Sequence, residues 1–230
     1  MARGACTVKN LMAEYETEEQ QVEALKQWWA DNGRAVLMGI GLGLVAIFGW
    51  RGWQGHQTSV AETASSAYTS VMESLENKDD GEAFLGKVES LKAEHGGTAY
   101  AAMASLAEAR FHVENEDLPQ AESALRWALD SGSFEEIKSI ARLRLSRVLA
   151  AQGKHDEALK LLDNVSGDAY VGMVDEIRGD IYLDKGDSEQ ALVAYKRARE
   201  SGAQTASARD LQMKLDDLAQ PGDKETDEKS

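Results

Sequence analysis

The sequence predicts an all-α protein, with one apolar helix near the N-terminus followed by a stack of helical hairpins. Three observations carry this. The 230 residues hold only two prolines, Pro119 and Pro221, and Ala, Leu, Glu and Lys dominate, which favours helix throughout. Few stretches alternate apolar and polar residues with β-branched side chains, as strands would. Helical segments in the second half of the chain recur at a nearly fixed period, the mark of a repeat array.

The apolar helix comes first. Ala35 to Trp50 (AVLMGIGLGLVAIFGW) carries no charge, and with Gly52 and Trp53 the stretch reaches nineteen residues, broken only by Arg51. At about 1.5 Å per residue this spans roughly 28 Å, close to the ~30 Å hydrocarbon core of a bilayer. Arg51 lies within a turn of the end and can extend its guanidinium to the headgroups. Trp28 and Trp29 precede the segment and Trp50 and Trp53 end it, so four of the five tryptophans sit where an interfacial belt would. A core helix of a soluble protein would explain the apolar run but not the paired tryptophans. A cleaved signal peptide needs a small-x-small site, and the GWRGWQGHQ after Phe48 offers none. Residues 35–53 therefore read as an uncleaved signal-anchor. Arg3, Lys9, Lys26 and Arg34 precede it, whereas Arg51 stands alone beyond it until Lys78. That asymmetry puts residues 1–34 in the cytoplasm and the large domain outside, which is the periplasm in a Gram-negative bacterium. Ala35, Gly39 and Gly43 form a small-xxx-small stripe through which another helix can approach, although glycine is also simply common in membrane helices.

Within the cytoplasmic tail, Thr17-x-x-Gln20 resembles a capping box, with Val22, Leu25 and Trp29 on one face of the helix it would start. Glu14, Glu16, Glu18, Glu19 and Glu23 suit the positive end of that helix, which is the simpler explanation, with contact to a basic cytoplasmic surface as the lesser alternative. Cys6 is the only cysteine, so no intramolecular disulfide forms. It lies in a stretch (MARGACTVKNL) that differs in character from the acidic segment after Met12. Met1 and Met12 both stand as starts, and residues 1–11 are an upstream extension in the second case.

Residues 54–97 read as connecting helices, Gln57 to Glu76 continuing the membrane helix and Gly81 to Glu94 coming next, with a break at Gly96-Gly97. Three hairpins fill residues 98–203. In the last, Gly179, Tyr182, Gly186, Ala191, Tyr195 and Ala198 match the small-aromatic-Gly-Ala-aromatic-Ala spacing of a tetratricopeptide repeat. Ser146, Leu149, Gly153, Ala158, Leu162 and Val165 keep that spacing 33 residues earlier. Ala109, His112, Glu116, Ala121, Leu125 and Ala128 form a weaker first unit without the turn glycine. Each hairpin buries its face only against a neighbour, so the array needs an end cap. Leu211, Leu215 and Leu218 supply one on a helix within 204–219. Residues 220–230 are charged and expected to be disordered.

The net charge is −15, and from Gln54 onward 20 basic residues face 34 acidic ones. Such a surface repels phosphate backbones, so nucleic acid is not an expected partner. His56, His95, His112 and His155 are scattered, and no HExxH, CxxC, GxSxG or phosphate loop occurs. The expectation is a non-enzyme with no metal and no cofactor. Repeat arrays bind instead. The repeat register places Leu106, Arg110, Val113, Leu143, Arg147, Met173, Asp180 and Asp184 on the inner face of the first helices. This is a mixed groove suited to an extended peptide or a partner's helix, though part of the set is expected to be core.

The segment EYETEEQQVEALKQWWADNGRAVLMGIGLGLVAIFGWRGWQ resembles the start of the YfgM family, ancillary subunits of the SecYEG translocon. The Glu-Gln-Val-Glu lead, an Asp31-Asn32-Gly33 turn, the glycine-rich span, the Gly-Trp-Arg-x-Trp exit and Ile177 to Asp180 (IRGD) carry the resemblance, which covers residues 12–218. It implies a type II inner-membrane anchor with a periplasmic domain. It also implies association with SecYEG and with the membrane-bound periplasmic chaperone PpiD, and support of newly translocated polypeptides on their way to periplasmic chaperones. A link from the cytoplasmic side to a stress-response regulator is implied too. The other reading is a membrane-anchored tetratricopeptide scaffold for envelope or cell-division assembly.

Overall fold

The computed structural model describes residues 4–77, 80–131, 134–201 and 208–219, with side chains described between 20 and 218. The tail beyond Pro221 and the side chains of Cys6 and Thr17 lie outside the described residues. Every regular element among the described residues is helical: α1 (Gly4–Glu76), α2 (Gly81–His95), α3 (Ala99–Glu114), α4 (Leu118–Asp130), α5 (Glu135–Ala151), α6 (His155–Leu162), a 3₁₀ turn (Asp168–Tyr170), α7 (Val171–Asp184), α8 (Ser188–Glu200) and α9 (Ala208–Ala219). The chain divides into two compact units, Met1–Ser59 and Val60–Ser230.

The first unit is helical from Gly4 onward. Two local expectations are corrected here. Thr17 lies inside the helix rather than at its start, because the surrounding residues are strong helix formers with no proline among them. Asp31-Asn32-Gly33 is likewise helical and not a turn. The Asn32 side-chain amide donates to the Trp28 carbonyl at 3.0 Å, so it no longer competes with the helix, and Gly33 is covered by the Trp29 indole.

The second unit is a stack of antiparallel helices. Its first layer joins the end of α1 to α2 and α3 through Ala64, Val71, Phe84, Val88, Leu91, Ala101 and Ala104. The central layer packs α3 to α7 around Ala121, Leu125, Leu145, Leu149, Leu162, Ile177 and Ile181. The last layer sets Ala191, Tyr195 and Ala198 of α8 against Leu211 and Leu215 of α9.

The hairpins α3–α4, α5–α6 and α7–α8 share one turn. Glu116, Gly153 and Gly186 have φ of 61°, 75° and 77°. In each case that residue's amide donates three residues back and the next amide donates five back, at 2.8–3.0 Å. This left-handed cap satisfies carbonyls that the helix end would leave bare. The first hairpin therefore adopts the glycine conformation with a glutamate. Asp117 and Asp187 then accept from the backbone amides of Gln120 and Gln190, at 3.2 and 3.1 Å, starting α4 and α8. Close approach within the third hairpin depends on Gly179, where a Cβ would lie 2.3 Å from the Tyr195 ring.

Candidate functional site

Two surfaces stand out, one in each unit. In the first, the apolar side chains of α1 point outward: Leu42 is 72% exposed, Val45 71% and Phe48 66%. In the apolar window of this helix only 6% of residues are buried, so it is no core helix of the unit. Trp29 and Trp50 are separated by roughly 31 Å along a helix of about 1.5 Å per residue, close to the thickness of a hydrocarbon core. The Trp50 and Trp53 rings lie 5.2 Å apart. The chain thus carries one helix long and apolar enough to cross a membrane among its described residues. Ala35, Gly39 and Gly43 recur every four residues on it, and a Cβ at Gly39 or Gly43 would meet nothing within 4 Å.

In the second unit, α3, α4 and α5 line an open cavity of about 370 Å³. Its floor is apolar, formed by Ala109, Val113, Leu118, Leu125, Val148 and Ala151, and its rim holds Arg110, Glu114, Arg144 and Arg147. Arg110 donates to Glu114 at 2.7 Å on the same helix. Arg144 donates to the Leu106 carbonyl at 3.3 Å. Burial, and then the guanidiniums of Arg110 and Arg147, hold Arg144 below its ordinary basicity. Of the residues named from the repeat register, Arg110, Val113 and Arg147 line this cavity. Leu106 and Leu143 are buried in the central core, and Met173 packs against it. Arg144 falls outside the repeat register, so sequence reasoning missed it. Its spacing of three from Arg147, which puts both on one helix face, was the available signal.

Asp180 and Asp184 lie on α7, outside the cavity. Asp180 occupies the register position of Arg110 and Arg147, with the opposite charge. It accepts from the Tyr195 hydroxyl at 2.7 Å and from Lys214 of α9 at 2.6 Å. Lys214 also reaches the buried Glu176 at 3.2 Å. Burial opposes the charge on Lys214, but Asp180 and Glu176 outweigh it and raise its pKa. Burial and then Asp180 push the Tyr195 phenol well above its usual range. The α9 end of the array is thus closed by its own residues, whereas the α3–α5 cavity is open.

Neighbouring hairpins are linked by ion pairs. Lys154 donates to Glu122 at 2.7 Å, Arg126 to Glu157, Lys185 to Asp156 at 2.6 Å and Arg178 to Asp163 at 2.6 Å. The Glu122 carboxyl is lowered to about 2, chiefly by Lys154, with burial opposing and Arg126 and Gln152 adding to it. His112 is half-buried, edge-on to Phe111. Among the described residues no group of three or more His, Cys, Asp or Glu is placed to hold a metal.

The family of tetratricopeptide repeat-like domains matches residues 26–220. An ancillary SecYEG translocon subunit of Escherichia coli (strain K12) is 36% identical over 206 residues, covering 89% of this chain and 98% of the relative. The protein of the same name from Haemophilus influenzae is 35% identical, covering 87% of this chain and 97% of the relative. That from Neisseria gonorrhoeae is 28% identical, covering 90% of this chain and 100% of the relative. With near-complete coverage of anchor and repeats alike, the chain belongs to the family of ancillary SecYEG translocon subunits, tetratricopeptide-like proteins with a candidate N-terminal membrane span.

Proposed function

We propose that this chain is a non-enzymatic docking subunit of the Sec machinery. Its membrane helix associates with the SecYEG channel in the inner membrane, and its repeat domain works on the periplasmic side. There the domain receives segments of newly translocated polypeptides or of a membrane-anchored PpiD-type chaperone, and so links the channel to periplasmic chaperones. The observation that carries this is the open α3–α5 cavity on the first helices of the repeats, in a chain whose membrane-length helix keeps its apolar side chains exposed. Lys26 and Arg34 before the span, against Arg51 alone beyond it, support the orientation.

Photo-crosslinking from Gly39 and Gly43 in native membranes tests the first half. Channel subunits are the expected adducts. Recovery of only cell-division or outer-membrane assembly factors would overturn the translocon reading in favour of an envelope scaffold. Arg147→Glu tests the second half, with reduced recovery of periplasmic partners in mild detergent as the expected result. Unchanged recovery would move the binding face elsewhere.

A further inference from the structure

We propose that the α3–α5 groove selects polypeptide segments in which carboxylates are spaced among apolar side chains, and that Arg144 and Arg147 read those carboxylates. This rests on the docking reading above and adds the chemistry of what docks.

Several cations elsewhere in the domain pair with carboxylates. Arg126, Arg142, Lys154, Arg178, Lys185 and Lys214 each meet a carboxylate. Yet Arg144 and Arg147 make no ion pair with any described carboxylate, and they share the cavity rim with Arg110, which pairs with Glu114. Two guanidiniums three residues apart on α5 therefore face the same opening. Like charges so placed repel: beyond its burial, Arg144 is held down first by Arg110 and then by Arg147. A carboxylate entering the groove relieves that repulsion and accepts charge-assisted hydrogen bonds.

The floor supplies the other half of the specificity. Val113 lines it and is 44% exposed, so an apolar side chain can bury against it above the already buried Leu125 and Val148. An acidic domain repels acidic segments at long range, but screening at physiological salt acts over about 8 Å, so the charges of the groove itself decide. A lipid headgroup would satisfy the guanidiniums but not the walled apolar floor. The favoured occupant is thus an amphipathic acidic segment of a partner polypeptide.

The test uses the full chain in nanodiscs of zwitterionic lipid. Fluorescence anisotropy is read on a labelled amphipathic peptide of Leu and Glu, and on its Gln and Lys counterparts. The Glu peptide should bind about tenfold more tightly than the Gln peptide, and the Lys peptide more weakly still. Arg144→Gln and Arg147→Gln should each weaken the Glu peptide about fivefold and leave the Gln peptide unchanged. Arg144→Lys, which keeps the charge, should retain most of the affinity, and Asp184→Asn on α7 should change nothing. Equal binding of the Glu and Gln peptides, lost in Val113→Glu, would overturn the acid selectivity while leaving the docking groove in place. No binding by any of the peptides would remove both. Displacement of the Glu peptide by phosphatidylglycerol vesicles, but not by excess unlabelled peptide, would assign the arginines to lipid and overturn the proposal.

Discussion

Glu116 holds a left-handed turn at φ 61° where the next two hairpins use Gly153 and Gly186. A residue with a Cβ loses about 1–2 kcal/mol in that conformation, less the extra chain entropy a glycine gives up on folding. Glu116→Gly should therefore stabilise the domain by up to about 1 kcal/mol, and Gly186→Ala should destabilise it by about as much, both read from chemical denaturation. Nothing lies within 4 Å of a Cβ at Gly153 or Gly186, so the effect belongs to the backbone and not to packing. Gly179 is the opposite case. A Cβ there lies 2.3 Å from the Tyr195 ring, and Gly179→Ala should cost about 2–3 kcal/mol, with partial recovery when combined with Tyr195→Leu. The motif spacing made Gly179 and Tyr195 recognisable in the sequence. The left-handed geometry at Glu116 was not, because glutamate gives no local sign of a positive φ.

Among the helices, ion pairs at the surface link each hairpin to the next, beside the buried core that packs them. Glu122 is the hub, with Lys154 at 2.7 Å and Arg126 at 2.8 Å. Its folded pKa of about 2 lies below the ordinary 4.5. A depressed carboxylate stabilises the fold above its unfolded pKa, and that contribution fades as pH falls from about 4.5 towards about 2. Both cations are 44% exposed, so solvent screening reduces the effect to roughly 1 kcal/mol. Glu122→Gln should lower stability by that amount at neutral pH and flatten the acid limb of a stability–pH profile. At the far end, Lys214 ties α9 to Glu176 and Asp180 on α7. Lys214→Ala should cost about 1–2 kcal/mol and raise amide exchange in α9 before the rest of the array. The leucine stripe of α9 was visible as a periodicity, but the lysine that anchors it was one charge among many.

For the whole molecule the decisive contrast is between an apolar segment with almost nothing buried and an acidic domain with three buried core layers. The anchor reading makes a topological prediction that the single cysteine allows to be checked. In spheroplasts, a membrane-impermeant maleimide should leave Cys6 unlabelled until the membrane is permeabilised. Glu200→Cys in a Cys6→Ser background should label at once. Labelling of Cys6 in intact spheroplasts would reverse the orientation.

The helical class, the membrane-length span and the repeat register were all legible in the order of residues. Each rests on local periodicity: an unbroken apolar run, flanking tryptophans, and small and aromatic residues 33 residues apart. Which inner-face residues stay exposed and unpaired depends on packing between helices. Leu106 and Leu143 turn into the core, and Asp180 is taken by Tyr195 and Lys214, whereas Arg144 joins Arg147 over an open apolar floor. A repeat register assigns a residue to a face, while its exposure and charge pairing depend on what the neighbouring helix places opposite it.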